Sequence, residues 1–573
     1  MRPIASGGGQ GLMARDYSVS RERQSQNFRY VIGLDFGTES LRALLVNVDT
    51  GEEAAEAVAN YEHGVIEESL PGSGVNLERD WALQHPGDYL GAMHEAIPSA
   101  LQKAHVDGAS VVGIGVDFTS CTILPTTYDG TPLCYLEQFK DNPHAWVKLW
   151  KHHAAQPEAD LINEVASERG EGFLKYYGSK ISSEWALPKL LQILDEAPEV
   201  YQATERFIEA ADWVVWQLTG KEWRNACAAG YKALWNAEDG YPSQDFLRAL
   251  HPAFEGAIEE KLKGPILVPG KKAGTLRPEV ASTLGLSNGV AVSAPIIDAH
   301  AGVLGCGVAR PGEMVMVMGT SSCQLIMTEE PHFFKGFAGM VEGGILPGYY
   351  GYEYGQSAVG DIFAWFVDNG VPHTYYQEAV SRQLSLHELL EEKASRLSPS
   401  ESGLVALDWH SGNRSVLMDA SLRGVMVGYT LNTKPEEVYR ALIEATAFGA
   451  RKIIETHEAG AGRVEGISAC GGLTKNEMLM QIYADVLGRT VRVTTSSQAV
   501  ALGAAVLAVL AGFERVGGHG DLVEVVGKTA GGNRKVYKPI GKNRATYDRL
   551  YRVYMDLHDY FGSARPFSEV FLR

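Results

Sequence analysis

Two strings, one in each half of the chain, constrain the fold more than any other feature: FGTESLRALLV from Phe36 and MGTSSCQLIM from Met318. Both read as strand, Gly-Thr-x-Ser tip, strand, because apolar runs flank a few small, hydroxyl-bearing residues. A Gly-Thr pair alone would recur by chance among 63 glycines. The shared serine and the apolar runs on both sides make duplication the better explanation. At 573 residues the chain also exceeds what one hydrophobic core usually supports. The expectation is two similar lobes that present two similar loops to one cleft.

The remaining pattern is α/β. VVGIGVDF, Val111 to Phe118, reads as a buried strand, and AADWVVWQLTG as a helix capped at its end by Gly220. The second half supplies strand-like GVAVSAPIID, EMVMVMGTSSCQLIM, GISACGG and TVRVTT. Between them a long helix is expected from Lys434 to Glu458, with Val438, Leu442, Ala445 and Phe448 on one face and Thr433 and Glu436 as a capping box. The run Ala499 to Phe513 is shorter than the ~20 residues that span a bilayer and is rich in Ala and Gly, so it reads as a buried, closely packed helix.

A net charge of −19 opposes a nucleic-acid or anionic-membrane footprint but leaves room for a local basic pocket. Cys121, Cys134, Cys227, Cys306, Cys323 and Cys470 form no C-x-x-C pair, which argues against a disulfide framework or a zinc site and for a reducing, cytoplasmic setting. Residues 1–28 read as a mobile tail, having no continuous apolar stretch of the kind a secretory signal needs.

Hairpin tips of Gly, Thr and Ser leave backbone N–H groups unpaired and add hydroxyl donors, a combination suited to a polyphosphate and equally to an ordinary tight hairpin. Asp35 at the end of the first strand sharpens that reading. A carboxylate beside a phosphate is repulsive unless a divalent cation lies between them, and Mg²⁺ takes one or two carboxylates plus phosphate oxygens while keeping several waters. Asp298 ends another apolar run before AHAGVLGCG and is either a proton acceptor or a helix N-cap by spacing alone. Lys232 in GYKALW and Glu353 in GYEYGQ sit beside aromatic residues, as polar groups of a sugar pocket would, although either read alone is an ordinary surface residue. ISACGGLTKNE reads as strand, Gly-Gly turn and helix, with Thr474 and Glu477 as a second capping box.

Taken in order, DFGTES, VDFTSCT, ISSEWALPK, AADWVVWQLTG, CAAGYKALW, PIIDAHAGVLGCG, MGTSSC, EYGQSAVGDIFAWF, ACGGLTKNEMLMQIYADVLG and ALGAAVLA resemble the FGGY carbohydrate kinases over roughly Tyr30 to Phe513. The resemblance implies a two-lobed, actin-like ATPase (ribonuclease H-like) α/β fold with a catalytic cleft, a sugar-binding lobe over 29–297 and a nucleotide-binding lobe over 298–573. LQHPGDYL, YKALWN and GYEYGQSAVGD further imply ATP-dependent phosphorylation of L-ribulose and related pentuloses at the terminal hydroxyl, as in L-arabinose breakdown; a xylulose or ribitol kinase is the alternative. His152 and His153 stand where glycerol and xylulose kinases would carry a W-x-D-x-R string.

Residue by residue, the resemblance implies that Asp298 is the catalytic base and that Ser120, Lys232 and Glu353 touch the ketose with it. It further implies that Gly37, Thr38, Gly319 and Thr320 meet the phosphates, that Gly471, Gly472 and Asn476 meet adenosine, and that Asp35 holds Mg²⁺ through water. Partners are then ATP and a pentulose, with no nucleic acid and no membrane; a homodimer is left open. VEVVGKT ends like a Walker A loop but has Leu522 where that motif needs glycine, and the NRS at Asn413 is a glycosylation acceptor only in form. The competing class is a nucleotide-switched binding module of the actin or chaperone kind, which needs neither a sugar pocket nor a proton acceptor.

Overall fold

The computed structural model describes residues 29–513, 519–532 and 534–563, so the tail expected at 1–28 lies outside them. Strand Tyr30–Phe36 is buried on both faces, as its unbroken apolar run requires, and sits inside a first sheet. It pairs antiparallel with Ser40–Asn47, which pairs antiparallel with Glu53–Asn60. On its other side it runs parallel to Val111–Phe118, placing Asp35 opposite Asp117. That strand is parallel in turn to Ala291–Ser293 and to the short Ile296–Ile297, where Ile296 lies opposite Asp117.

The second sheet repeats this arrangement. Glu313–Met318 pairs antiparallel with Ser322–Thr328, and Ser322–Thr328 with Tyr350–Gln356. Gly466–Cys470 lies parallel on the other side of Glu313–Met318, followed by parallel Val491–Thr494. Three antiparallel strands followed by two parallel ones, in the same order in both sheets, are what the paired hairpin strings predict. Both tips turn in three residues, 37–39 and 319–321.

Two helices join the lobes, and glycines set how closely they approach. Helix Ala499–Gly512 is buried along almost its whole length, as its composition predicts, and its backbone lies directly on the first sheet. A Cβ on Gly33 would stand 1.9 Å from the Ala501 carbonyl oxygen, and one on Gly115 would stand 1.8 Å from that of Ala504. Its other face meets helix Asp298–Gly305, where a Cβ on Gly503 would stand 1.9 Å from the Ala301 carbonyl oxygen. That second helix packs on the other sheet through Gly302, 2.9 Å at Cβ from Val317. The molecule is therefore layered as sheet, helix, helix, sheet, and the ends of the parallel strands open beside the junction.

Two helix starts differ from expectation. The long helix spans Pro435–Ala461, with Lys434 at its N-cap and the Lys434 backbone N–H donating to the Glu437 carboxylate at 2.7 Å. Proline has no N–H to lose at the first helical position, so Pro435 fixes the start one residue later than a Thr433 cap would. Glu436 instead accepts from the Tyr375 hydroxyl at 2.6 Å. Helix Glu477–Leu487 is capped by Asn476, whose Oδ1 accepts from the Leu479 N–H at 2.8 Å, while the Thr474 hydroxyl donates back to the Gly471 carbonyl at 2.7 Å.

Candidate active site

Three carboxylates gather where neighbouring strands of the first sheet end. Asp35 closes Tyr30–Phe36, Asp117 closes the adjacent Val111–Phe118, and Asp298 follows Ile296–Ile297 on the far side of Asp117. The register makes the middle acid the deepest: Asp117 has no exposed surface, and Asp35 is 7% exposed. Nearby positive charge is sparse. The Arg42 guanidinium approaches Asp35 at 3.3 Å, and among the described residues neither Asp117 oxygen meets an N–H or hydroxyl donor. Burial raises the Asp35 carboxyl despite Arg42, and it raises Asp117 well above the usual range, with Asp35 and Asp298 adding to the rise. The adjoining Asp35 and Asp117 carboxyls, an oxygen-only pair short of cations, suit a hard divalent ion such as Mg²⁺.

Asp298 is the first residue of its helix rather than its cap, since Ile297 occupies the N-cap position. Its Oδ1 accepts the Ala299 N–H at 2.6 Å. Burial pushes its carboxyl up to about 7 against that hydrogen bond, with Asp35 and Glu353 of the other lobe adding to the rise. A carboxyl that titrates near neutrality can both take and release a proton under working conditions.

Lys232 and Glu353 are not the surface residues that each would be on its own. Lys232 ends helix Ala226–Lys232, Glu353 lies in strand Tyr350–Gln356, and the two meet across the lobes with Nζ 2.8 and 2.9 Å from the carboxylate oxygens. Burial alone would discharge both. Their mutual attraction outweighs it, holding the lysine above its ordinary value and the glutamate below. The His300 Nε2 lies 3.6 Å from Glu353, its ring is tilted 48° against Tyr231 at 4.3 Å between centroids, and burial lowers it to about 4, so it faces Glu353 neutral.

A second cross-lobe pair joins Arg414 to both oxygens of Glu184 at 3.0 Å. Trp185 lies under the Lys232 ammonium at 5.7 Å. The half-buried Ser120 precedes Cys121, which takes a left-handed φ of 56° and whose carbonyl accepts from the buried Lys189 at 2.6 Å. Charged groups from both lobes lie together beside Trp185, the residue types that recognise a polyol.

The other side is more open. The Thr38 carbonyl accepts from Gln84 at 2.7 Å and its hydroxyl from Trp150 Nε1 at 3.0 Å, which fixes the first tip. The second tip is fixed through the Thr320 carbonyl, which accepts from the Val359 N–H at 2.7 Å. Gly471 needs to be glycine: its φ is +99°, and a Cβ would stand 2.4 Å from the Met318 carbonyl oxygen, just before the Gly319–Thr320 tip. Gly472 and Thr320 are exposed, and among the described residues nothing beyond its chain neighbours lies within 4 Å of a Cβ on Gly472. VEVVGKT lies in helix His519–Ala530, not in a loop.

Sequence reasoning missed Asp117, Glu184, Trp185, His300 and Arg414 as members of this site. Asp117 had a signal: GLDF at Gly33 and GVDF at Gly115 are the same string on adjacent strands. Arg414 lies within the NRS set aside as a spurious acceptor.

The N-terminal and C-terminal domain models of the FGGY family of carbohydrate kinases match residues 30–305 and 314–512. The chain is 53% identical over 536 residues to the ribulokinase of Geobacillus thermodenitrificans, covering 93% of this chain and 95% of that one. It is 50% identical over 540 residues to the ribulokinase of Mycolicibacterium smegmatis, covering 94% and 95%. Among solved structures, a xylulose kinase from Rhodospirillum rubrum superposes with a TM-score of 0.75 at 22% identity, over 94% of this chain and all of that one. A glycerol kinase from Plasmodium falciparum with ADP gives 0.72 at 16%, over 92% and 98%. The family models and these two likenesses together give the two-lobed, actin-like ATPase fold.

Proposed function

Since the chain belongs to the FGGY family of carbohydrate kinases, we propose that it transfers the γ-phosphoryl group of ATP to the terminal hydroxyl of L-ribulose, giving ribulose 5-phosphate. The observation that carries the substrate reading is the buried Lys232–Glu353 pair across the lobes, beside Asp298. A switch ATPase has no use for such a pair. The pentulose is supported by the identity to two ribulokinases over nearly the whole chain.

Phosphoryl transfer needs positioning, charge stabilisation and an acceptor for the hydroxyl proton. The Ala299 N–H ties down Oδ1 of Asp298 and leaves Oδ2 to take that proton as the sugar oxygen attacks. Lys232 donates to, and Glu353 accepts from, the ketose hydroxyls, with Ser120 at the pocket edge. Gly37, Thr38, Gly319 and Thr320 hold the phosphates by backbone N–H and hydroxyl groups from both lobes. Gly471 and Gly472 face the adenosine, and Asn476, whose Oδ1 caps its helix, keeps its Nδ2 for the nucleotide. Asp35 would hold Mg²⁺ through water, and the ion would supply positive charge against the phosphate charge. The sugar side is buried and the nucleotide side exposed, an order that keeps water from the reacting hydroxyl. With six free cysteines, we place the enzyme in the cytoplasm, in L-arabinose breakdown.

The test is ADP formation with and without L-ribulose, with the product located by phosphorus-coupled NMR. Pentulose-dependent ADP release and a 5-phosphate are expected; ATP turnover indifferent to pentulose contradicts the proposal.

A further inference from the structure

We propose that Asp117 is a direct carboxylate ligand of the divalent cation, sharing it with Asp35, so that the protein holds the ion before nucleotide arrives. This rests on the kinase reading and goes beyond it by naming a residue and an order of binding.

A carboxyl shut away from water must be paired, take up a proton or coordinate a metal. Asp117 is fully buried, no N–H or hydroxyl of a described residue reaches either oxygen, and its side chain adjoins the Asp35 carboxyl, so the two acids must share either a proton or a cation. Its charged neighbours are the acids Asp35 and Asp298, and Arg42 is engaged with Asp35.

The surroundings fix the pair rigidly. Asp35 and Asp117 are register partners on parallel strands, so their side chains leave the same face of the sheet. The next residues along, Phe36 and Phe118, stack at 4.8 Å with planes 9° apart on the opposite face. Two residues back, Gly33 and Gly115 let helix Ala499–Gly512 close the same face. Two carboxylates held in register beside a phosphate-facing hairpin form a preorganised oxygen site, and its deeper ligand is Asp117.

The experiment is a titration of the nucleotide-free, full-length protein with Mn²⁺, followed by EPR, with Mg²⁺ as competitor. One ion per chain that Mg²⁺ displaces is expected, and Asp117→Asn should weaken it at least tenfold, on the scale of losing a metal-site partner. Asp117→Ser is the second variant should the amide misfold. Two results overturn the proposal: no Mn²⁺ bound to wild type at millimolar concentration, or wild-type affinity in folded Asp117 variants, which would make this acid a protonated packing residue. Neither touches the kinase reading, which fails instead if wild type forms no ADP in response to L-ribulose.

Discussion

Replacing Glu353 by Gln keeps the side chain's shape and removes its charge, leaving the buried Lys232 ammonium without its counter-ion. Both side chains are at most 5% exposed and meet at 2.8 Å, so solvent screens little of the loss. Breaking a buried pair from one side costs about 3–5 kcal/mol. At roughly 2–4 °C per kcal/mol for a lobe of this size, Glu353→Gln should lower the melting midpoint by about 10 °C. Replacing both residues by Met removes both buried charges and should restore most of that loss. Activity should not follow stability. Two hydrogen bonds to charged groups, at about 1.5–3 kcal/mol each, are lost to the sugar in the double variant. Its kcat/KM for L-ribulose should therefore fall by on the order of 10²–10⁴ while ATP binding persists. Differential scanning fluorimetry and a coupled ADP assay on the four proteins of the cycle give both readouts. A Glu353→Gln protein that melts like wild type, or a double variant that phosphorylates L-ribulose normally, would refute the reasoning.

Further predictions concern titration, packing and the second ion pair. With the Asp298 carboxyl pushed up to about 7 and its ionised form acting as base, kcat/KM should fall as pH drops through about 7, measured at subsaturating L-ribulose. A carboxyl raised in the folded state costs stability as it ionises, above its ordinary value near 4 and up to about 7; at pH 8 Asp298→Asn should therefore melt higher than wild type. Gly115→Ala forces a methyl to within 1.8 Å of the Ala504 carbonyl oxygen and should destabilise by about 3 kcal/mol or more, whereas Gly472→Ala should melt like wild type and raise the KM for ATP. Arg414→Gln, which leaves the buried Glu184 unpaired, should lower the melting midpoint and raise the KM for L-ribulose, as read by the same two assays.

The fold was legible because its signals are local. Paired hairpin strings announced two like lobes, and the Ala- and Gly-rich run at 499–513 announced a helix that packs by its backbone. The hairpin acid and the acid before AHAGVLGCG were visible for the same reason, each lying at the end of an apolar run. Residues whose meaning comes from partners far along the chain were not legible. Lys232 and Glu353 are 121 residues apart and Glu184 and Arg414 are 230 apart, and nothing in GYKALW names GYEYGQ as its mate. Asp117 was half visible: GVDF echoes GLDF, but only strand register puts the two acids side by side. Helix starts slipped where one backbone constraint outranked a side-chain cap, as Pro435 did over Thr433.

Asp298→Asn tests the central claim most directly, because the amide keeps the shape and removes the proton acceptor. Single-turnover transfer to L-ribulose should fall by on the order of 10²–10⁴, with ATP affinity measured by calorimetry held near wild type. Transfer at the wild-type rate would show that the proton leaves by another route and would contradict the account.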